Sequence, residues 1–323
     1  MKILVVGHSN MTNCVRHEMH VANCLKRMGH TVSFFDYRFA LAKHDANTAS
    51  SLIKDCIIAN NFDIVFIFSG RGLNFAIISS YKRVNKHPKL VNIYDDFYTD
   101  QKMDWFENDC SYCDLSYWST EDIEYRKLYR TSCNEICQHI ISSVDETIYY
   151  PLDVEKSIDV LFMGTPHSNR IELITYLLNN NINITIFSQP NMNYTWPHEL
   201  QKIVHHGSFN ISGNIVLNQA KLVLNPNHRT DIYLSLSDRY YITLAVGGVG
   251  INQYVKGIET QFENNKHMVW WNSFDECRIQ IQTLLQDEKL RNIISNESYS
   301  LFCKKYKLSL ILSDILKTIE GLS

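Results

Sequence analysis

Short, almost entirely apolar segments alternate with helical patterns along most of this chain. The segments KILVVG (2–7), FDIVFIFSG (62–70) and KLVNIYDD (89–96) form one such series, and a second begins with SIDVLFMG (157–164) and INITIFS (182–188). Strands with no polar alternation are buried on both faces, as in a parallel sheet that is covered by helices. The sequence therefore predicts an α/β fold of two Rossmann-like, doubly wound domains in tandem.

The polar segment 144–157 contains one proline and separates the two series. We take it as the crossing between the domains, and we place the first domain at 1–150 and the second at 151–300. Ligands of open parallel sheets bind outside the carboxyl ends of the strands, and small-molecule pockets favour domain interfaces. The expected ligand site is thus a cleft between two domains.

Composition excludes several classes of protein. The 323 residues are 45% hydrophobic and 20% charged, which is ordinary for a soluble protein with sizeable cores. The net charge of −3 gives no general attraction to nucleic acid or to a membrane surface. No apolar run is long enough to span a membrane. The nine cysteines, together with an apolar start too short for a signal peptide, predict reduced thiols and a cytoplasmic location.

One glycine-containing turn, Gly70-Arg71-Gly72, resembles the start of a dinucleotide-binding fingerprint. Asp95 lies downstream at about the expected distance, but Phe75 stands where a third glycine is needed. A nicotinamide- or flavin-dependent oxidoreductase is therefore an alternative, which the absorbance of the purified protein would reveal. A tight turn explains the same residues. An intermediate interpretation is a loop that faces the cleft, with Arg71 as an available cation.

Four cysteines have spacings that could hold zinc, in the pairs Cys110-x2-Cys113 and Cys133-x3-Cys137. Buried thiols explain the same pattern, because Cys113 opens an apolar segment and the second pair lies one helical turn apart. We therefore predict that the protein holds no metal.

Two arginines stand where a phosphate site would need cations. The chain has no Asp-x-Asp pair, an arrangement that commonly holds a divalent ion on a diphosphate. Arg170 and Arg239 each begin a predicted helix that follows a strand in the second half. A cation at a helix N-terminus is unfavourable without an anion nearby. Both are therefore predicted to bind phosphate without a metal.

Three stretches in the second half carry a family resemblance. They are DVLFMGTPHSNRIELITYL (159–177), HHGSFNISGNIVLNQAKLVLNPN (205–227) and SLSDRYYITLAVGGVGINQY (235–254). In this order they resemble the C-terminal domain of the CgeB-like (spore-maturation-type) glycosyltransferases, which are similar to the family 4 glycosyltransferases. The resemblance covers about 159–300, and MGHTV and LVNIYDD in the first half resemble the acceptor-side domain of the same fold, GT-B.

The resemblance implies a glycosyltransferase with two domains that face each other across a cleft. The first domain would contact the acceptor, the second would bind the nucleotide-sugar, and a C-terminal helix in 301–323 would pack back on the first. The nucleotide-sugar is a substrate, so no cofactor is implied. The implied donor-binding residues are Gly164, Arg170, Ser237, Arg239, Gly247, Gly248 and Asn252.

Two features of this implied donor site are specific. Gly247 and Gly248 would let the backbone leave the helix and approach the donor closely. Family members have a glutamate on the donor ribose three residues after the arginine, and here that residue is Ile242. Asn252 is one substitute for it. The same difference keeps a second function open, a non-catalytic protein that binds a sugar nucleotide or a glycan.

Catalysis requires charge stabilisation on the departing phosphate and, if the sugar inverts, a base for the acceptor hydroxyl. Asp95 and Asp96, at the end of an apolar segment, are candidates for the base or for acceptor contacts, and His8 is the rival. If transfer retains configuration, these residues would orient the acceptor. The sequence does not choose among a glycan, a protein, a lipid-linked sugar and a modified nucleobase as the acceptor.

Overall fold

The computed structural model describes residues 1–9, 17–83, 88–94, 110–118, 137–140, 142–189, 195–207, 209–227 and 229–322. The chain divides into two compact units. The first contains the described residues up to Ser142 and those from Leu308 onward, and the second contains the residues between them. The sequence analysis had placed these crossings at 150/151 and 300/301.

The first unit is built on a parallel sheet. Its strands are β1 (Lys2–Gly7), β2 (Thr31–Asp36), β3 (Ile64–Phe68), β4 (Lys89–Tyr94), β5 (Leu115–Trp118) and β6 (Cys137–His139). They lie in the order β2-β1-β3-β4-β5-β6, and every neighbouring pair is parallel. Its first helices are α1 (His17–Arg27), α2 (Tyr37–Lys43), α3 (Ala46–Asn60) and α4 (Phe75–Ser79).

The first sheet is covered on both faces. Side chains such as Val5 and Val91 pack with Leu25 of α1, whereas Val65 on the opposite face packs with Ile53 of α3. Successive strand residues point to opposite faces, so a strand that is buried on both faces reads as a continuous apolar run. This is the pattern that predicted the strands.

The second unit repeats the same plan. Its strands are β7 (Ile158–Met163), β8 (Ile184–Ser188), β9 (Val204–His206), β10 (Ala220–Asn225), β11 (Gly250–Gln253) and β12 (Val269–Trp271). They lie in the parallel order β12-β11-β10-β7-β8-β9. Its helices are α5 (Ser168–Asn179), α6 (Ile211–Gln219), α7 (Asp238–Ala245), α8 (Phe274–Gln286) and α9 (Glu288–Lys305). The prediction of two parallel α/β domains is confirmed.

The last helix, α10 (Leu308–Glu320), belongs to the first unit. Its apolar face, which includes Leu312, Ile315 and Ile319, lies in the same core as α1 and one face of the first sheet. Buried apolar area is the main favourable term in folding, so this face holds the end of the chain on the first unit.

The segment that enters the second unit is fixed to α6 by asparagines. The backbone N–H of Tyr150 donates to Asn214 Oδ1 at 3.2 Å, and that of Leu152 donates to Asn218 Oδ1 at 2.8 Å. The two asparagines are four residues apart and so lie on one face of the helix. The hydrogen bonds explain why residues in the middle of the predicted crossing belong to the second unit.

Three local features differ from the sequence expectations. The short strands β6 and β9 were not predicted, because three polar or mixed residues carry no apolar run. Serine is a residue type favoured at N-caps, but Ser168 is the first helical residue of α5 and His167 occupies the cap position.

Candidate functional site in the second unit

The candidate site lies at the carboxyl edge of the second sheet, where β7 and β10 are hydrogen-bonded neighbours. The chain leaves β7 through Gly164 and enters α5, and it leaves β10 through Pro226 on the way to α7. Neighbouring parallel strands end at the same edge, so the turns that follow them meet there. This is the edge at which open α/β sheets bind ligands.

Arg170, the third residue of α5, is only 7% exposed. Its Nη1 donates to the carbonyl and to the hydroxyl of Thr165, both at 3.1 Å. Its Nε is buried and has no hydrogen-bond partner among the described residues. Burial, with the nearby charge of Arg239 as a second cause, lowers the pKa of Arg170 to about 9. The side chain is therefore still a cation at neutral pH.

Arg239, the second residue of α7, is half-buried. Its Nη2 donates to the Pro226 carbonyl at 2.6 Å, and its Nε is buried without a hydrogen-bond partner. Burial lowers the pKa of Arg239 to about 10, against the opposing effects of Tyr240 and Asp238. Both arginines thus keep donor groups that the described residues do not use.

The two guanidinium groups share one aromatic ring. The Arg170 Cζ lies 5.9 Å from the centroid of the Phe162 ring, and the Arg239 Cζ lies 5.6 Å from it. Among the described residues, no carboxylate lies within ion-pair distance of either arginine. Buried cations without a counter-charge cost several kcal/mol. A bound anion would offset this cost.

The helix starts beside these arginines add to the attraction for anions. The caps of α5 and α7 are His167 and Ser237, and neither side chain accepts a hydrogen bond from the first turn. The N–H groups of an uncapped first turn are available to a ligand, and the helix dipole is positive there. Ser237 is half-buried and its hydroxyl is not used in capping, which is consistent with its predicted place near the donor.

Gly164 leaves room for this cluster. A Cβ atom on Gly164 would lie 3.0 Å from the Phe162 ring and 3.2 Å from Arg239 Nη1. Both distances are tighter than ordinary carbon contacts, so any side chain would push on the ring and on the guanidinium. Gly164, which the sequence predicts as a donor-binding residue, thus allows Arg239 to approach the end of β7.

Asn252 lies in a buried amide network and is 1% exposed. Asn225 Nδ2 donates to Asn252 Oδ1 at 2.9 Å and to Thr243 Oγ1 at 3.2 Å, and the Thr243 hydroxyl donates to the Arg239 carbonyl at 2.6 Å. The structure therefore gives Asn252 a role in joining β10, β11 and α7, in place of the ribose contact suggested by the sequence. Ile242, the other residue in that argument, is half-buried on α7.

Gly247 and Gly248 lie at the other end of α7 from Arg239 and before β11, hence at the amino edge of the sheet. The backbone of Gly247 has a φ of +62°, and its carbonyl accepts from Ser295 Oγ at 2.6 Å. The Gly248 carbonyl accepts from Ser298 Oγ at 3.3 Å. The interpretation that these glycines approach the donor is replaced by another, in which they end α7 and pack it against α9.

The carboxyl edge of the first sheet carries a different set of groups. His8 and Ser9 follow β1, and both are half-buried. The Ser9 backbone N–H and hydroxyl donate to the carboxylate of Asp36, which also accepts from Phe39 N at 2.9 Å as the cap of α2. Burial acts to raise the pKa of Asp36, but hydrogen bonds from Ser9 and Phe39 and the charge of His8 lower it overall.

Two further sequence candidates lie after β3. Gly70 is buried with a φ of +74°, and the half-buried Arg71 follows it. A Cβ atom on Gly70 would lie 2.7 Å from the Phe75 ring, so the residue at the fingerprint's missing third glycine packs on the turn. Packing within the loop therefore accounts for the glycine at position 70.

Several predicted residues cannot be placed. Asp95, Asp96 and Cys133 lie outside the described residues, and the Cys137 side chain is not described. Cys110 and Cys113 are buried thiols. Within the described ranges, no three His, Cys, Asp or Glu side chains are grouped to hold a metal ion. None of the described helices combines the length and apolar character that crossing a bilayer requires.

Comparison with known proteins adds a family match. Residues 170–317, which begin at the first of the two arginines, match a family model described as glycosyl transferase-like. No curated protein matches the chain by sequence.

Solved structures resemble the whole chain. HepE from Anabaena, in complex with UDP-glucose, has a TM-score of 0.73 at 12% identity and covers 99% of this chain and 100% of its own. Sucrose-phosphate synthase from Thermosynechococcus elongatus has a TM-score of 0.71 at 9% identity, with 100% of both chains covered. The fold is GT-B. A DNA-modifying β-glucosyltransferase has a TM-score of 0.58 at 18% identity, over 99% of this chain and 100% of its own.

Sequence reasoning identified both arginines but missed their surroundings. Phe162 was interpreted only as part of a strand, and Thr165 and Pro226 were not singled out. The available signal was the position of Phe162 two residues before Gly164, on a strand followed by an arginine-bearing helix.

Proposed function

We propose that the protein is a glycosyltransferase that transfers a sugar from a nucleotide-sugar to an acceptor, with Arg170 and Arg239 holding the donor diphosphate. The observation that carries this proposal is the pairing of a buried arginine, Arg170, with a half-buried one, Arg239. The Nε atom of each is buried and unused, and no carboxylate among the described residues pairs with either. Two guanidinium groups beside uncapped helix starts suit a diphosphate, because each can donate to two oxygens at once.

The same groups would promote the reaction. Cleavage of the bond between the sugar's anomeric carbon and the diphosphate leaves negative charge on the departing phosphate. Fixed cations in a buried site stabilise that charge without having to reorganise as the bond breaks. Arg170 and Arg239 are already in place before a donor arrives, which favours stabilisation of the transition state.

Transfer without a divalent metal is part of the proposal. Two cations supply the charge that a divalent ion would otherwise bring to a diphosphate, and the sequence lacks an Asp-x-Asp pair. Turnover measured in excess chelator should equal turnover in untreated protein. Loss of turnover in chelator, with recovery on addition of Mg²⁺ or Mn²⁺, would contradict metal independence while leaving glycosyl transfer itself intact.

The first donor to test is UDP-glucose. HepE was solved with UDP-glucose and with UDP, and the DNA-modifying β-glucosyltransferase was studied with UDP-glucose. The more specific assignment to the CgeB-like enzymes rests on the sequence resemblance alone and stays a prediction. So does the ribose contact, for which Ile242 offers no polar group.

Acceptor contacts are proposed for the first unit. His8, beside a carboxylate-fixed loop, is the described candidate base, and Asp95 and Asp96 stay predictions from the sequence. A glycan, a protein, a lipid-linked sugar and a modified nucleobase all remain acceptors to test. The DNA-modifying structural neighbour makes hydroxyl-bearing DNA one member of that panel.

The deciding experiment follows UDP release from UDP-glucose with each acceptor class present. Acceptor-dependent release supports a transferase. Tight UDP-glucose binding with no release on any acceptor supports the alternative, a non-catalytic sugar-nucleotide-binding protein. No binding of UDP-glucose or any other nucleotide-sugar would contradict both functions.

A further inference from the structure

We infer that Phe162 is a positioning residue of the donor site, whose ring fixes both guanidinium groups for one diphosphate. The inference rests on the proposed function, because it concerns the two arginines assigned there to the donor. Phe162 is not itself expected to touch the donor. Its effect would be exerted through Arg170 and Arg239.

The position of the ring is strongly determined. Phe162 is fully buried on β7, and its ring packs edge-on against Trp196 with centroids 5.8 Å apart. The side chain belongs to the core that includes Leu173 and Ile174 of α5. A ring locked in a core has little freedom to follow a ligand, so it provides a fixed reference for groups packed on it.

The electrostatic reason for a ring here is the mutual repulsion of two cations. Both guanidinium groups lie against the same ring, and the charge of Arg239 is the second cause, after burial, of the lowered pKa of Arg170. An aromatic face attracts a cation within about 6 Å of its centroid. Both Cζ atoms satisfy that distance, at 5.9 Å and 5.6 Å. One ring therefore attracts both arginines and offsets part of their repulsion.

The hydrogen bonds of the two arginines do not by themselves fix the orientation of their guanidinium groups. Each arginine is anchored by a single terminal nitrogen, Arg170 through Thr165 and Arg239 through Pro226. One anchoring nitrogen leaves the plane of a guanidinium free to rotate, and a planar group must be oriented to grip two oxygens. The ring contact supplies the second restraint. Gly164 keeps the space between the ring and Arg239 open.

The test separates the electronic effect of the ring from its volume. Phe162 is replaced by 3,5-difluorophenylalanine, which keeps the shape of the ring but weakens the negative charge on its face, and by leucine, which removes the ring. Phe262→Leu is the matched control, because Phe262 is a buried phenylalanine of the same unit that packs with Tyr241 and Tyr306. The Kd for UDP is measured by calorimetry for each, with melting temperatures alongside.

The expected order of UDP affinity is wild type, then the difluoro variant, then Phe162→Leu, with the last about tenfold weaker than wild type. Phe262→Leu should bind UDP as the wild type does. The inference is overturned if the difluoro variant binds UDP as tightly as the wild type, since the ring then acts only by its volume. The comparison of the difluoro variant with the wild type still tests the inference if Phe162→Leu does not fold. If the wild type binds neither UDP nor any other nucleoside diphosphate, that result would instead count against the proposed function.

Discussion

The carboxyl edges of the two sheets differ in how their charges are satisfied. On the first sheet, the carboxylate of Asp36 is saturated by Ser9 and by the start of α2. On the second, the Nε atoms of Arg170 and Arg239 are buried and unused, with no described carboxylate within ion-pair distance. Among the described residues, the same fold thus carries a charge with protein partners at one edge and, at the other, two charges that a bound anion would stabilise.

A similar contrast holds between three capped helices of the first unit and the two helices that carry the arginines, although α8 and α9 of the second unit are capped by Ser273 and Asp287. The caps of α2, α3 and α4 are Asp36, Asp45 and Asn74, and each accepts from the first turn of its helix. The helices that carry the two arginines begin without a side-chain cap. An N-cap typically contributes about 1 kcal/mol, so its absence at α5 and α7 leaves donors for a ligand at some cost in stability.

The largest expected effect comes from removing both arginines. The double variant Arg170→Ala/Arg239→Ala loses two charge-assisted contacts, each of about 1.5–3 kcal/mol, so UDP-glucose affinity should fall by about two to four orders of magnitude. Calorimetric titration measures the loss. The control is Arg229→Ala/Arg278→Ala, because these two arginines already pair with Asp231 and Asp275. Equal losses in both double variants would show that affinity follows net charge and not this site.

A second prediction concerns the buried amides beneath the site. Asn252→Ala leaves the Asn225 amide without its 2.9 Å acceptor, so the free energy of unfolding should fall by about 1–3 kcal/mol. UDP affinity of the folded variant should be nearly unchanged. Asn183→Ala, at an exposed amide that donates to Asp159, is the control and should unfold like the wild type. Normal stability with weak UDP binding would restore Asn252 as a donor contact.

A third prediction concerns the space at the end of β7. Gly164→Ala places a methyl group 3.2 Å from Arg239 Nη1, so the guanidinium must shift. The methyl group would also lie 3.0 Å from the Phe162 ring, which is fixed in the core, so most of the adjustment falls on the guanidinium. UDP affinity should fall by about 1 kcal/mol, the lower end of overpacking costs, because the end of an arginine side chain can move. The control is Gly321→Ala, where the nearest atom would lie at 3.5 Å. A variant with unchanged affinity would mean that Arg239 can shift without affecting the donor.

The smallest expected effect is on the first edge. The pKa of Asp36 is lower in the folded protein than in the unfolded chain, so its stabilising contribution is present above the unfolded value, near 4, and is lost as pH falls through the folded value. Because the group is partly exposed, Asp36→Asn should cost less than about 1 kcal/mol at pH 7. Denaturation of both proteins at pH 7 and at pH 3 measures the difference. A stability difference between wild type and Asp36→Asn that is larger at pH 3 than at pH 7 would contradict a lowered pKa for Asp36.

Much of the fold could be predicted because its strands are buried on both faces and read as apolar runs. The three-residue edge strands β6 and β9 lack that pattern and were missed. Arg170 and Arg239 could be singled out because each is a cation at a helix start after a strand, and their contact with a diphosphate stays a prediction. The roles of Asn252 and of Gly247-Gly248 could not be read from spacing. Whether an amide faces a ligand or another amide, and which edge of the sheet a glycine reaches, is decided by strand pairing.

The most direct test of the account is the melting temperature of wild type and of Arg239→Ala, each with and without saturating UDP. An anion that completes an unsatisfied cation pair should stabilise the folded wild type, by about 2.7 kcal/mol at a concentration of 100 times its Kd. We predict a clear rise for the wild type and a much smaller one for Arg239→Ala at the same UDP concentration. Equal rises in both proteins would contradict the assignment of Arg239 to the diphosphate. No rise in the wild type with UDP or with any other nucleoside diphosphate would contradict the whole account.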